Sequence, residues 1–125
     1  MRKKVLVVDD EETIRQFLST LLLRWGYEVE EAVDGVQALE KLAKDNYDLL
    51  ICDILMPNKD GWEVLKEMKS NPKIKEIPVI VLTGKKEDSD IVRGYELGAI
   101  YYMTKPFTIA QLLYALEQIF GETSV

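Results

Sequence analysis

The sequence has no histidine and a single cysteine among its 125 residues. Without histidine there can be no Ser-His-Asp or Cys-His catalytic arrangement, no imidazole metal ligand and no phosphohistidine supplied by the chain itself. One cysteine excludes an internal disulfide. Cys52 sits in an apolar run beside Asp53, and neighbours on a strand point to opposite faces. If Asp53 faces a site, Cys52 faces the core as a small buried hydrophobe. Positive charge is also in short supply, with 16 Lys and Arg against 22 Asp and Glu and a net charge of −6. That balance argues against direct DNA binding and against attraction to an anionic membrane, since both require a basic face. No apolar run approaches the length of a membrane span, so no membrane insertion is expected. The opening "MRKKVLVVDDEE" is basic and then apolar, but the apolar part is too short for a signal peptide and acids follow at once. The chain reads as cytoplasmic.

The residues that are present suit a folded domain. Hydrophobic residues make up 47% and charged residues 30%, ordinary proportions for a globular protein. The length fits one domain with a real core. We expect a single domain over 1–125, with a core over about 3–120, a short tail at 121–125 and no output domain.

Strand and helix patterns alternate along the chain. "KVLVV" (4–8) reads as a fully buried strand. Ile14, Phe17, Leu18, Leu21, Leu22 and Trp25 then recur at helical spacing, and Gly26 supplies a stop. "YEVEEA" (27–32) alternates weakly, as an edge strand would. Asp34-Gly35 is a turn, and Val36, Leu39 and Leu42 mark a second helix. "DLLICD" (48–53) is a third strand, followed by a helix marked by Trp62, Leu65 and Met68 and ending near 70–72. "IPVIVLT" (77–83) is a fourth strand. Ile91, Val92 and Tyr95 mark a fourth helix, stopped at Gly98. "AIYYMT" (99–104) is a fifth strand. Thr108 and Gln111 form a capping box that opens a last helix, which runs through Ile109, Leu112, Leu113, Leu116 and Ile119 and closes at Gly121. Five strand–helix units with short links predict an α/β fold. We expect a flavodoxin-like, doubly wound, five-stranded parallel sheet in the order 2-1-3-4-5, with five helices on its two faces.

In such a sheet, ligands bind beyond the carboxyl ends of the strands where the order reverses, here between strands 1 and 3. Strand 1 ends in Asp9 and Asp10, and strand 3 ends in Asp53. Two unit charges about 4 Å apart repel by roughly 4 kcal/mol at an effective dielectric near 20. Three acids at one point therefore need protons or a cation, and Mg²⁺ suits oxygen ligands in a partly hydrated site. One of the first pair could instead serve as the N-cap of the first helix, which would leave Asp53 unexplained. Strand 4 ends at Thr83 and strand 5 delivers Lys105. A cation and a lysine together form an anion clamp for a phosphoryl group, and a carboxylate can act as the nucleophile that forms an acyl phosphate.

With these residues in view, the sequence resembles the receiver domains of two-component response regulators. The motifs are "VDDEE", "DILMPNKDGWE", "VLTG" and "YYMTKPF", and the resemblance covers nearly the whole chain. It implies that Asp53 is the phosphoacceptor. It implies that Asp10, Asp53 and the backbone carbonyl of Leu55 hold Mg²⁺, with Mn²⁺ as a substitute and Asp9 acting mostly through water. Thr83 and Lys105 would bind phosphoryl oxygens, the bond before Pro106 would be cis, and Tyr102 would be an aromatic switch coupled to Thr83, with Tyr101 facing the other way. The implied partners are a histidine kinase or a histidine phosphotransfer protein, and a downstream protein target reached through helix 4, strand 5 and helix 5. A monomer is expected, with dimerisation on phosphorylation left open. A stand-alone regulator, a relay intermediate and a piece of a longer regulator are also left open.

Gly84 stands where Ala is more usual, which should loosen the loop into helix 4. Leu55 and Lys85 occupy the variable positions flanking the phosphoryl group. An apolar Leu55 cannot orient water and Lys85 could cover the phosphate, so a long-lived phosphorylated state is expected. Two other classes fit less well. An aspartyl-nucleophile phosphohydrolase needs a general acid two residues after its nucleophile; Leu55, at that distance from Asp53, cannot donate a proton, whereas Glu11 stands at that distance from Asp9. A flavin carrier needs a Ser/Thr/Gly-rich loop after strand 1, where "DDEET" would repel the phosphate. A receiver-like module that binds partners without phosphate is the alternative to a phospho-accepting switch.

Overall fold

The computed structural model describes residues 2–121; the expected tail beyond Gly121 lies outside them. The order of elements is β1 (Lys4–Val8), α1 (Glu12–Arg24), β2 (Glu28–Ala32), α2 (Gly35–Lys44), β3 (Leu49–Cys52), α3 (Gly61–Lys69), β4 (Val79–Thr83), α4 (Asp88–Glu96), β5 (Tyr101–Thr104) and α5 (Ile109–Phe120). All strand pairs are parallel and the sheet order is β2-β1-β3-β4-β5. That is the expected architecture, and the acidic β2 is an edge strand.

Two strands, β4 and β5, start later than the runs that mark them. Pro78 has no N–H for the ladder, and β4 begins only at Val79. Ala99 is held by a bond from its N–H to the Gly94 carbonyl, so it finishes α4 and does not start β5. The start of α5 follows its sequence signal. Asp60 with Glu63 and Thr108 with Gln111 form complete capping boxes on α3 and α5.

The central strands are buried on both faces, and alternate residues feed two separate layers. Leu6, Val8, Leu50, Cys52, Val79 and Val81 point toward α2 and α3, where Leu42, Val64 and Leu65 meet them. Val5, Val7, Leu49, Ile51, Ile80 and Leu82 point toward α1 and α5, against Leu18, Leu22, Leu112 and Leu116. Cys52 is therefore a core residue. The apolar residues that mark α4 behave differently. Only Gly94 of that helix is buried, while Val92 and Tyr95 are exposed. Among the described residues no helix is long and apolar enough to cross a membrane.

Candidate functional site

β1 and β3 run side by side with Val8 opposite Cys52. The next residue on each strand is an aspartate, so the register itself places Asp9 beside Asp53. The Asp53 N–H donates to the Val8 carbonyl at 3.0 Å. Both side chains are buried, at 2% and 4% exposure, whereas Asp10 is exposed. One carboxylate oxygen from each of Asp9, Asp10 and Asp53 lies within 4.8 Å of the others.

The remaining strand ends complete the cleft. Cys52 pairs with Val81, which carries the end of β4 to the same edge. Thr83 is fully buried there, and its hydroxyl accepts the Lys85 N–H at 3.4 Å. Thr83 pairs with Thr104, so Lys105 emerges next, its N–H bonded to the Thr83 carbonyl at 2.8 Å. The Lys105 ammonium donates to Asp9 Oδ2 and Asp53 Oδ2, each at 3.0 Å, and to Glu11 Oε1 at 2.7 Å. The Lys105–Pro106 bond is cis. The Leu55 N–H donates to Asp53 Oδ1 at 3.2 Å, and the Leu55 side chain is exposed beside it.

Electrostatics follow from this crowding. Burial pushes the Asp9 carboxyl above the usual carboxylate range and the nearby Asp53 charge adds to that, while the Glu11 N–H and Lys105 act against it. Burial alone would lower the Lys105 pKa, but the carboxylates of Glu11, Asp9 and Asp53 reverse this and raise it. The lysine is thus a fixed positive charge. The Cys52 thiol is pushed up, first by burial and then by Asp53 and Asp9, and stays neutral in the core.

Neither Asp9 nor Asp10 caps α1, contrary to one expectation for that pair. The N-cap position is Glu11, which makes no side-chain cap bond. Asp9 instead accepts the Glu11 N–H at 2.9 Å, and the Arg15 guanidinium bonds the Asp9 carbonyl at 2.8 Å. The Asp9 carboxylate is turned into the cleft, where its Oδ2 accepts from the Lys105 ammonium. Sequence reasoning missed Glu11 as a partner of Lys105. The run of four acids at 9–12 was visible, but 94 residues separate this pair.

The other expected site residues lie around the rim. The Lys85 ammonium is 3.7 Å from Asp90 at the start of α4. Tyr102 is half-buried against the α2–α3 layer and Tyr101 against the opposite one. The Tyr102 hydroxyl donates to the Lys85 carbonyl at 2.8 Å. Its pKa is pushed up to about 12 by burial, then by Asp90 and Asp53, which keeps it a donor. Its backbone N–H, on an edge strand, is accepted by the Tyr95 hydroxyl at 3.2 Å.

This donor set is all oxygen and two of its carboxylates are buried, which fits a hard cation such as Mg²⁺. The geometry defines a cleft lined by three aspartates and one lysine at the switch point of a doubly wound sheet. Residues 5–117 match the family model for the response regulator receiver domain, and the chain belongs to that family. It is 46% identical over 108 residues to the alkaline phosphatase synthesis transcriptional regulatory protein PhoP of Bacillus subtilis, covering 86% of this chain and 44% of that protein. It is 38% identical over 125 residues to the response regulator MprA of Mycobacterium ulcerans, covering 100% and 53%. The chain thus spans about half the length of these relatives. Among solved structures it resembles chemotaxis protein CheY4 of Vibrio cholerae, with a TM-score of 0.88, 37% identity and coverage of 95% and 99%.

Proposed function

We propose that Asp53 is the phosphoacceptor of this receiver and that the chain works as a phospho-accepting switch, without turning over a free substrate. The observation that carries this is the convergence on Asp53, whose buried carboxylate meets Asp9, Asp10 and, at 3.0 Å, the Lys105 ammonium. An Asp53 oxygen attacks the phosphorus of a phosphohistidine. The O–P bond forms as the N–P bond breaks, and the imidazole nitrogen leaves with the electron pair. The histidine belongs to a partner kinase or phosphotransfer protein, because this chain has none. Asp10, Asp53 and the Leu55 carbonyl would hold Mg²⁺ or Mn²⁺, with Asp9 mostly through water. When bound, the ion offsets negative charge at the reacting oxygens.

Lys105 lies ready to pair with one phosphoryl oxygen and the Thr83 hydroxyl with another. Recruiting Thr83 draws on the loop that holds Lys85, whose carbonyl anchors Tyr102. That linkage biases a two-state element over α4, β5 and α5. The face it serves exposes Val92, Tyr95 and Tyr114 and fits a protein partner. Leu55 and Lys85 tune the lifetime of the acyl phosphate. The cytoplasm is the compartment this reading requires.

The test is phosphorylation by acetyl phosphate, read by intact mass with and without Mg²⁺ on wild type and Asp53→Asn. A Mg²⁺-dependent adduct lost in the variant is expected. Absence of any adduct would leave a module that binds partners without phosphate.

A further inference from the structure

Asn58 has φ +67°, and it is the one non-glycine with positive φ among the described residues. The Lys59 N–H closes on the Pro57 carbonyl at 2.8 Å across it. A three-residue turn with positive φ at its centre is the rare and strained form. Strain of this kind persists only where the surroundings over-determine it.

The surroundings here come from another part of the chain. The Asn58 amide donates to Asp34 Oδ2 at 2.7 Å. Asp34 is itself buried and uses Oδ1 to cap α2 at the Gln37 N–H, 2.9 Å away. Beside it, the Gly35 N–H donates to the Lys59 carbonyl at 3.0 Å. A Cβ at Gly35 would collide with that carbonyl oxygen and lie 2.8 Å from Val64 Cγ2, so only glycine permits the approach. The turn thus leans on the first turn of α2. The same loop begins at Asp53 and carries Leu55, and it is tied at its far end by the Gly61 N–H to the Ile54 carbonyl at 3.0 Å.

We propose that Asp34 and Asn58 are positioning residues for the cation. Their bond holds the strained turn, and the turn sets where the Leu55 backbone lies relative to Asp53. Neither residue touches the ion. The inference rests on the cation reading above and adds to it a brace that reaches across from the β2–α2 turn.

The experiment is a Mn²⁺ titration of the full chain, with free Mn²⁺ read by electron paramagnetic resonance, beside melting curves in EDTA. Asn58→Asp sets two carboxylates against each other, and Asn58→Gly keeps the positive φ but removes the bond. Both should weaken Mn²⁺ binding at least fivefold. The double variant Asp34→Asn with Asn58→Asp reverses the pair, so that the amide at position 34 donates to the carboxylate at position 58. It should bring affinity back to within twofold of wild type. A purely structural bond would lower the melting temperature and leave Mn²⁺ affinity unchanged, and that result overturns the proposal. So does a swap that fails to restore affinity. Failure of wild type to bind Mn²⁺ at all overturns the cation reading itself and the brace with it.

Discussion

Lys105→Met is the most revealing perturbation of the cleft. In the native protein one ammonium serves three carboxylates, two of them almost wholly buried. Removing one partner of a buried pair typically costs about 3–5 kcal/mol, because the remaining charge stays desolvated. Two features reduce that here. Glu11 is largely exposed and can turn to water, and Asp9, already raised in pKa, can take up a proton. A loss of about 2–3 kcal/mol follows, which for a domain of this size is a fall of roughly 8–12 °C in melting temperature. Mg²⁺ should narrow the gap. At ten times its dissociation constant a native-state ligand adds about 1.4 kcal/mol, and the variant should bind the ion better because no ammonium competes for Asp53. The pH dependence has a definite sign. A carboxyl whose pKa is raised on folding binds more protons native than unfolded, so stability falls as pH rises from the ordinary carboxylate range through the raised value. Without Lys105 the Asp9 pKa rises further, and the deficit should be smaller at pH 5 than at pH 7. The assay is thermal melting of both proteins at each pH, in EDTA and in Mg²⁺. A variant as stable as wild type in EDTA at pH 7 would refute the view that Lys105 neutralises a buried acid pair.

Two further predictions concern the switch. Leu55→Asn and Lys85→Glu should each speed decay of the acyl phosphate, by giving water an orienting group or uncovering the phosphate; unchanged or slower decay in both variants would sink the long-lifetime idea. Gly94→Ala should destabilise by about 1–2 kcal/mol in urea titrations, since overpacking outweighs the gain in helix propensity. Its Cβ would lie 2.5 Å from Tyr102 Cδ2 and 2.9 Å from Cε2, so a stabilised variant would mean the ring does not rest on that glycine.

The alternation of strands and helices, the capping box at Thr108 and the acids that end β1 and β3 were all legible in the amino-acid order. These are local signals. Apolar runs of strand length that stop at a carboxylate, and Ser/Thr/Asp followed three residues later by Glu or Gln, depend only on near neighbours. Once the strand order was inferred, the meeting of Asp9, Asp53, Thr83 and Lys105 followed from parallel pairing.

Which residue each of these groups bonds was settled only by the folded arrangement. Glu11 joins Lys105 and Asn58 joins Asp34 across 94 and 24 residues, distances at which no periodicity carries information. Packing also left Val92 and Tyr95 of α4 exposed, while Gly94, with the ring of Tyr102 beside it, is the one buried residue of that helix. Local pattern says that a helix forms and which side is apolar. Only packing says whether that side has anything to cover it.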